Sequence, residues 1–186
     1  MREKEKAVNK GKVFEQEWRK SAEKQELLIV RLTDSDMSFH PNKESRSRFT
    51  VEQPCDYIMY YKGHIFFLEL KSTCYKSITF QREKEDSSQI KLHQINSLVN
   101  LAQFDGAKAG FIFNFRDERE GHPYSEDTYY MSIEDFSNFY ANTDKKSINK
   151  LDIVQNGGII ISAHQKRKLY EYDIKGMLTN IIGEEW

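Results

Sequence analysis

The 186-residue chain has the length of one domain, and at that size roughly 70% of the unfolded surface can be buried without disulfides or a structural metal. With 28 basic against 29 acidic residues the formal charge is −1, which excludes a uniformly basic nucleic-acid coat but leaves room for a local basic cleft. A 38% hydrophobic and 31% charged composition excludes a disordered chain, and no apolar run approaches the ~18 residues of a membrane span.

The opening MREKEKAVNKGK lacks an apolar signal core, and residues 1–10 read as a flexible tail. Cys55 and Cys74 are too few for a disulfide framework, so reduced thiols in a cytoplasmic protein are expected, with no membrane partner. From Gly11 to about Gln25, Phe14, Trp18 and Ala22 recur four apart, which predicts a helix; Glu15 shares a side with Gly11, Trp18 and Ala22. Leu27–Leu32 is a short apolar run that reads as a buried strand. Residues 33–50 are polar and turn-rich and carry Arg46 and Arg48, the pattern of a loop or protruding excursion.

Two β-rich runs, Tyr57–Tyr61 and His64–Leu70, flank Lys62-Gly63, a dipeptide that suits a tight hairpin turn. Ser72 to Ser87 is polar. Helical spacing resumes over Gln89–Phe104, with Leu92, Ile95, Leu98, Val99 and Ala102 on one side and Asp105-Gly106 ending it. Ala109–Phe115 reads as a strand, followed by a charged loop and a short strand at Thr128–Met131. Ser132-Ile133-Glu134-Asp135 then matches a capping signature that opens a helix to about Tyr140. Strands are expected at Gly158–Ser162 and Leu169–Ile174, either side of the basic triplet Lys166-Arg167-Lys168. The order predicts an α/β fold, a mixed β-sheet flanked by helices in a single domain.

A two-residue hairpin loop fixes the pairing of its strands, and counting back from it sets Asp56 directly opposite Glu69. Cross-strand partners share a face with Cβ atoms ~5 Å apart, and Lys71, two residues on, joins them. Two carboxylates side by side repel, so the pair calls for a cation, which Lys71 supplies in part and a hard divalent ion such as Mg2+ or Mn2+ supplies better. The residues alone leave two readings open: a metal site, or a charged strand end with a salt bridge from Lys71. Glu15 and Gln94 fit the same site, and each also reads as an ordinary surface residue. The five histidines and two cysteines match no zinc spacing, and no glycine-rich phosphate loop follows a strand.

Asp56 followed by Glu69-Leu70-Lys71 resembles the motif of the PD-(D/E)XK nucleases. More specifically, the chain resembles the RecU-type Holliday junction resolvases. Asn9-Lys10-Gly11-Lys12-Val13-Phe14-Glu15 is similar to their opening helix, Asp56-Tyr57 with Tyr61-Lys62-Gly63 to their hairpin, and His93-Gln94-Ile95 to their following helix. Gly110–Phe115, Tyr130-Met131-Ser132 and Phe136–Tyr140 resemble their closing strands and helix. The resemblance covers about Asn9 to Tyr140 and implies a restriction-endonuclease-like nuclease domain over 11–144, with 145–186 as a C-terminal extension. Cys55 stands where the family usually has a small hydroxyl residue, and 33–50 is short where those resolvases project a stalk.

The resemblance implies a Mg2+-dependent endonuclease (Mn2+ possible) that hydrolyses phosphodiesters in four-way DNA junctions as a homodimer. Asp56, Glu69 and the Leu70 carbonyl would hold the ion. Lys71 would orient the attacking water or stabilise the transition state, Glu15 would support the ion, and Gln94 would position Lys71 or a phosphate oxygen. Lys10, Lys12, Arg46, Arg48 and Lys76 are the expected DNA phosphate contacts, with Lys166-Arg167-Lys168 a weaker set. The alternatives are a nuclease of the same fold acting on duplex or flap DNA, and an inactive relic that binds DNA or protein.

Overall fold

The computed structural model describes residues 10–32, 53–83, 87–117, 125–166 and 169–183. The N-terminal tail up to residue 9, the excursion with Arg46 and Arg48, most of the charged loop after Phe115, and Arg167 and Lys168 lie outside them.

The chain opens with helix α1 (Lys10–Lys24), then strand β1 (Leu28–Arg31). The hairpin follows as β2 (Tyr57–Tyr61) and β3 (His64–Thr73). Its turn residues Lys62 and Gly63 have φ of 45° and 83°, the paired left-handed conformations of a type I′ turn, and the register Tyr61↔His64 to Tyr57↔Leu68 is the one the two-residue loop dictates. Then come β4 (Ser77–Thr79), α2 (Leu92–Leu101), β5 (Ala107–Asp117), β6 (Ser125–Ser132) and α3 (Ile133–Asn142). Ser132 caps α3 by accepting from the Asp135 N–H at 3.0 Å. The remainder is β7 (Ser147–Asn149), α4 (Lys150–Gln155), β8 (Ile159–Ile161), β9 (Ala163–Lys166), β10 (Leu169–Tyr172) and α5 (Ile174–Ile182).

Six strands form one mixed sheet in the order β1-β2-β3-β5-β6-β8. Only β3 and β5 run parallel, because α2 carries the chain back between them; the other pairs are antiparallel. The pairs β4–β7 and β9–β10 stand apart as small two-stranded sheets. The alternation along β3 assigns the faces. Phe66, Leu68 and Leu70 point toward α1 and α5, joining Phe14, Trp18, Tyr57, Met59, Ile112, Tyr172 and Leu178 in one core. Phe67 points the other way, toward Ile95 and Leu98 of α2, Phe136 and Phe139 of α3, and Phe111 and Phe113 of β5. Glu69 and Lys71 lie on this second face by the same alternation.

Three expectations change. Leu27–Leu32 was expected as a buried strand, but β1 is an edge strand paired with β2 alone, with Leu28 and Val30 61% and 48% exposed. An apolar run of this length carries no periodicity that separates an interior strand from an edge. The helix expected over Gln89–Phe104 spans only Leu92–Leu101, because Gln89 and Ile90 are drawn into bonds with the backbone and side chain of Thr79, the last residue of β4. The hairpin ladder stops at Tyr57↔Leu68, one residue short of Asp56.

Beneath α1 the sheet buries an ionic network. The Arg116 guanidinium pairs with Glu17, lies 3.5 Å from Glu126, and its Nε donates to the Asn114 side-chain oxygen at 2.8 Å. Glu17 also accepts the Tyr170 N–H at 3.1 Å, and the Tyr172 hydroxyl donates to Glu126, so β10 is fastened to α1 and the sheet through one set of charges. Removing one partner of such a buried set leaves the others unpaired, at a cost of about 3–5 kcal/mol. Arg116→Ala is expected to lower the melting temperature by on the order of 10 °C in a calorimetric scan. Arg19→Ala, which breaks only the exposed Arg19–Glu23 pair, should leave it within about 2 °C.

Candidate functional site

The type I′ turn delivers the start of β2 and the middle of β3 to one place, and Asp56 is held there by three bonds. Its N–H donates to the Leu68 carbonyl at 3.2 Å, its carbonyl accepts from the Leu32 N–H at 2.9 Å, and its Oδ2 accepts from the Leu70 N–H at 2.7 Å. The last bond replaces the ladder pairing expected opposite Glu69 and ties one carboxylate to the backbone of the Glu69-Leu70-Lys71 segment.

Glu69 is 3% exposed. Its Oε1 accepts from Lys71 Nζ at 2.8 Å and from Gln94 Nε2 at 2.5 Å. Burial pushes the Glu69 carboxyl up to about 7; the Lys71 ammonium pulls it down and the Asp56 charge adds to the rise. The net result is a carboxylate that is short of positive charge even with an ammonium in contact. Gln94 stands on the first turn of α2, where its Oε1 accepts from the Lys91 N–H at 2.9 Å in a capping box. That bond fixes which end of the amide faces Glu69. The helix start is held in turn by Gln81, whose Oε1 accepts from the Leu92 N–H at 2.9 Å.

Glu15 approaches from α1. The Tyr57 hydroxyl donates to its carbonyl at 3.2 Å, and its carboxylate forms an ion pair with Arg31 at the end of β1. Partial burial raises the Glu15 pKa, Arg31 opposes the rise, and Asp56 adds to it. Asp56 therefore acts on both Glu15 and Glu69, and the three acids flank one end of the hairpin. Beside them Cys55 is buried, and desolvation together with the Glu69 and Asp56 charges pushes its thiol up to about 12.

The structure thus gathers Asp56, Glu69, Lys71 and Gln94 into one hydrogen-bonded cluster, with Glu15 at its margin. Lys12 is exposed on α1, where its charge lowers the Glu15 pKa, and Lys76 is exposed in the turn after β3. Lys166 stands exposed, 2.7 Å from Glu171; Lys10 heads α1, its side chain outside the described set. Arg31 was not anticipated. Its place beside Asp56 depends on β1 pairing with β2, with Arg31 opposite Tyr57, a contact that no local spacing announces.

Among the described residues no three His, Cys, Asp or Glu side chains converge as a ready-made metal cage. The donors present are of the hard, oxygen kind that suits a divalent ion completed by waters: two carboxylates at one end of the hairpin, Asp56 fixed by the Leu70 N–H and Glu69 buried with its pKa raised.

A model of the family described as Recombination protein U matches residues 9–173. That span runs beyond the residues quoted for the resemblance and takes in β7 to β10. The SPbeta prophage-derived uncharacterized protein YotM of Bacillus subtilis (strain 168) is 29% identical over 190 residues, covering 96% of this chain and 90% of that relative. Among solved structures, Hjc, a Holliday junction resolvase from the archaeal hyperthermophile Archaeoglobus fulgidus, matches 81% of this chain and 95% of its own with a TM-score of 0.48 and 14% identity. With its opening helix, its hairpin acids and its closing strands all inside the matched span, the chain belongs to the RecU family, nucleases that act as Holliday junction resolvases in DNA recombination.

Proposed function

We propose that the chain cleaves four-way DNA junctions in a reaction dependent on a hard divalent cation, Mg2+ or Mn2+, held by Asp56, Glu69 and the Leu70 carbonyl. The observation that carries this reading is the buried Glu69 carboxylate, pushed up to about 7 with Asp56 beside it and Lys71 already in contact. When bound, such an ion neutralises charge on the scissile phosphate and lowers the pKa of a neighbouring water.

The chain's own groups do the rest. Lys71 Nζ, held by Glu69 and 14% exposed as a side chain, keeps donors free to orient the attacking water and to stabilise the phosphoryl oxygens as charge builds on them. Gln94 is a positioning residue: its amide, locked by the Lys91 N–H, fixes Glu69 and through it Lys71. Glu15 adds negative charge toward the ion, and Arg31 restrains it. Lys12 and Lys76, on the two exposed elements that border the cluster, serve as phosphate contacts. A junction must be cut in two symmetric strands, so the working form is a homodimer. Both cysteines are free thiols, as suits a reducing cytoplasm.

Lys71→Ala is expected to slow cleavage of a synthetic four-way junction by at least 100-fold in Mg2+, with junction affinity measured in Ca2+ within about threefold of the unchanged protein. Near-normal cleavage by that variant, or equal cleavage of linear duplex of the same sequence, would overturn the assignment.

A carboxyl whose folded pKa is raised from 4.5 to about 7 contributes stability at low pH that is lost as pH climbs between those values. Glu69→Gln should therefore melt several degrees higher than the unchanged chain at pH 8 in chelator, and the gap should close by pH 5.

A further inference from the structure

The chain leaves the sheet at the C-terminal end of β3 through a short turn that is fastened on both sides. Thr73, the last residue of β3, is buried and pairs with Phe115 of β5, and Ser77, the first residue of β4, pairs with Asn149 of β7. Between them the Tyr75 N–H donates to Thr73 Oγ1 at 3.1 Å, so a hydroxyl closes the turn. On this support Tyr75 is 75% exposed, the most open of the large apolar and aromatic residues among those described.

The neighbours of the ring narrow what it can meet. Cys74 and Lys76 on either side of it are exposed, and Ser77 is half-buried. A spot that takes an apolar protein surface has an apolar core around its aromatic anchors. A ring set among polar groups beside an ammonium offers something different, a flat π-face next to a phosphate contact. Asp127, paired with Phe115 at the same end of the sheet, is engaged by Lys150, which offsets its charge.

We infer that Tyr75 is a stacking platform for one unstacked nucleobase of the strand whose phosphate enters the Glu69–Lys71 site, with Lys76 on a neighbouring phosphate. The reach fits. Tyr75 follows Lys71 by four residues, at most ~14 Å of main chain, which is no more than about four steps of a strand at ~3.4 Å each. Bases within continuous duplex have both faces covered by their neighbours, so the ring engages only where stacking is interrupted, at a branch point, a flap or a single-stranded end. Tyr75 thereby favours interrupted over continuous DNA through binding, before any bond is cut. Its place next to a cleavage site rests on the nuclease reading; its capture of a base does not.

The test measures binding of the full chain in Ca2+ to three probes: an oligodeoxythymidine about 16 nucleotides long, an abasic strand of the same length, and a linear duplex. Tyr75→Ala should weaken binding of the oligodeoxythymidine about tenfold and leave the abasic strand and the duplex within about twofold. Tyr75→Phe, which keeps the ring, should bind as the unchanged protein does. Lys76→Ala should weaken all three probes alike, through a lost phosphate contact. The melting temperature should stay the same in every variant, since these side chains are exposed. Equal affinity of the unchanged chain for the oligodeoxythymidine and the abasic strand overturns the inference. So does a Tyr75→Ala protein that loses affinity for both strands equally or for neither. Junction cleavage in Mg2+ or Mn2+ is scored separately: a chain that binds bases through Tyr75 and cuts no junction counts against the nuclease reading alone, and one that cuts junctions with no Tyr75-dependent binding counts against the platform alone.

Discussion

Much of this fold is organised by the need to keep one carboxylate charged in a place that disfavours charge. Glu69 sits on a central strand with its oxygens almost out of water, and a neighbouring acid raises the difficulty. Three other elements are committed to it. The turn at Lys62-Gly63 sets the strand register, the Leu70 N–H holds Asp56 in place, and the capping box of α2 aims the Gln94 amide. Among the described residues the one cation in contact with this buried acid is the Lys71 ammonium, an environment of the kind that clusters at functional sites.

The network around Arg116 shows the contrast. It too joins several ionisable groups in the interior, but there a guanidinium is enclosed by Glu17, Glu126, Asn114 and Tyr172, and every described partner faces inward. One network fastens the C-terminal strands to α1; the other ends in an ammonium whose side chain keeps 14% of its surface exposed. Helix α1 belongs to both. Glu17 points into the interior lock, and Glu15, half a turn away, stands at the margin of the acid cluster, so the placement of Glu15 is inherited from a salt bridge on the other side of the helix.

Local chemistry made part of this legible in sequence. A Lys-Gly turn between two β-rich runs gives a register, and the register brings Asp56 and Glu69 together with no knowledge of the remaining chain. The Ser132 cap and the apolar side of α1 were readable for the same reason. What escaped depends on distant partners. The exposure of β1 follows from its pairing with β2 across a long excursion, and with it the place of Arg31. Strand β4, three residues in a polar stretch, exists because Ile148 of β7 lies opposite Ile78. Glu17, the most deeply placed acid of α1, carries no local sign of burial, because its partners Arg116 and Tyr170 come from β5 and β10.

Cys55 adds a quieter consequence. A reactive cysteine works as its thiolate, which captures soft ions and is the form that oxidants attack. Here burial, with the Glu69 and Asp56 charges adding to it, keeps the sulfur protonated, its S–H turned to the Tyr57 carbonyl at 3.4 Å. Out of solvent and protonated, Cys55 acts as a small apolar filler ahead of β2, and it is Cys74, exposed after β3, that an alkylating reagent would reach first.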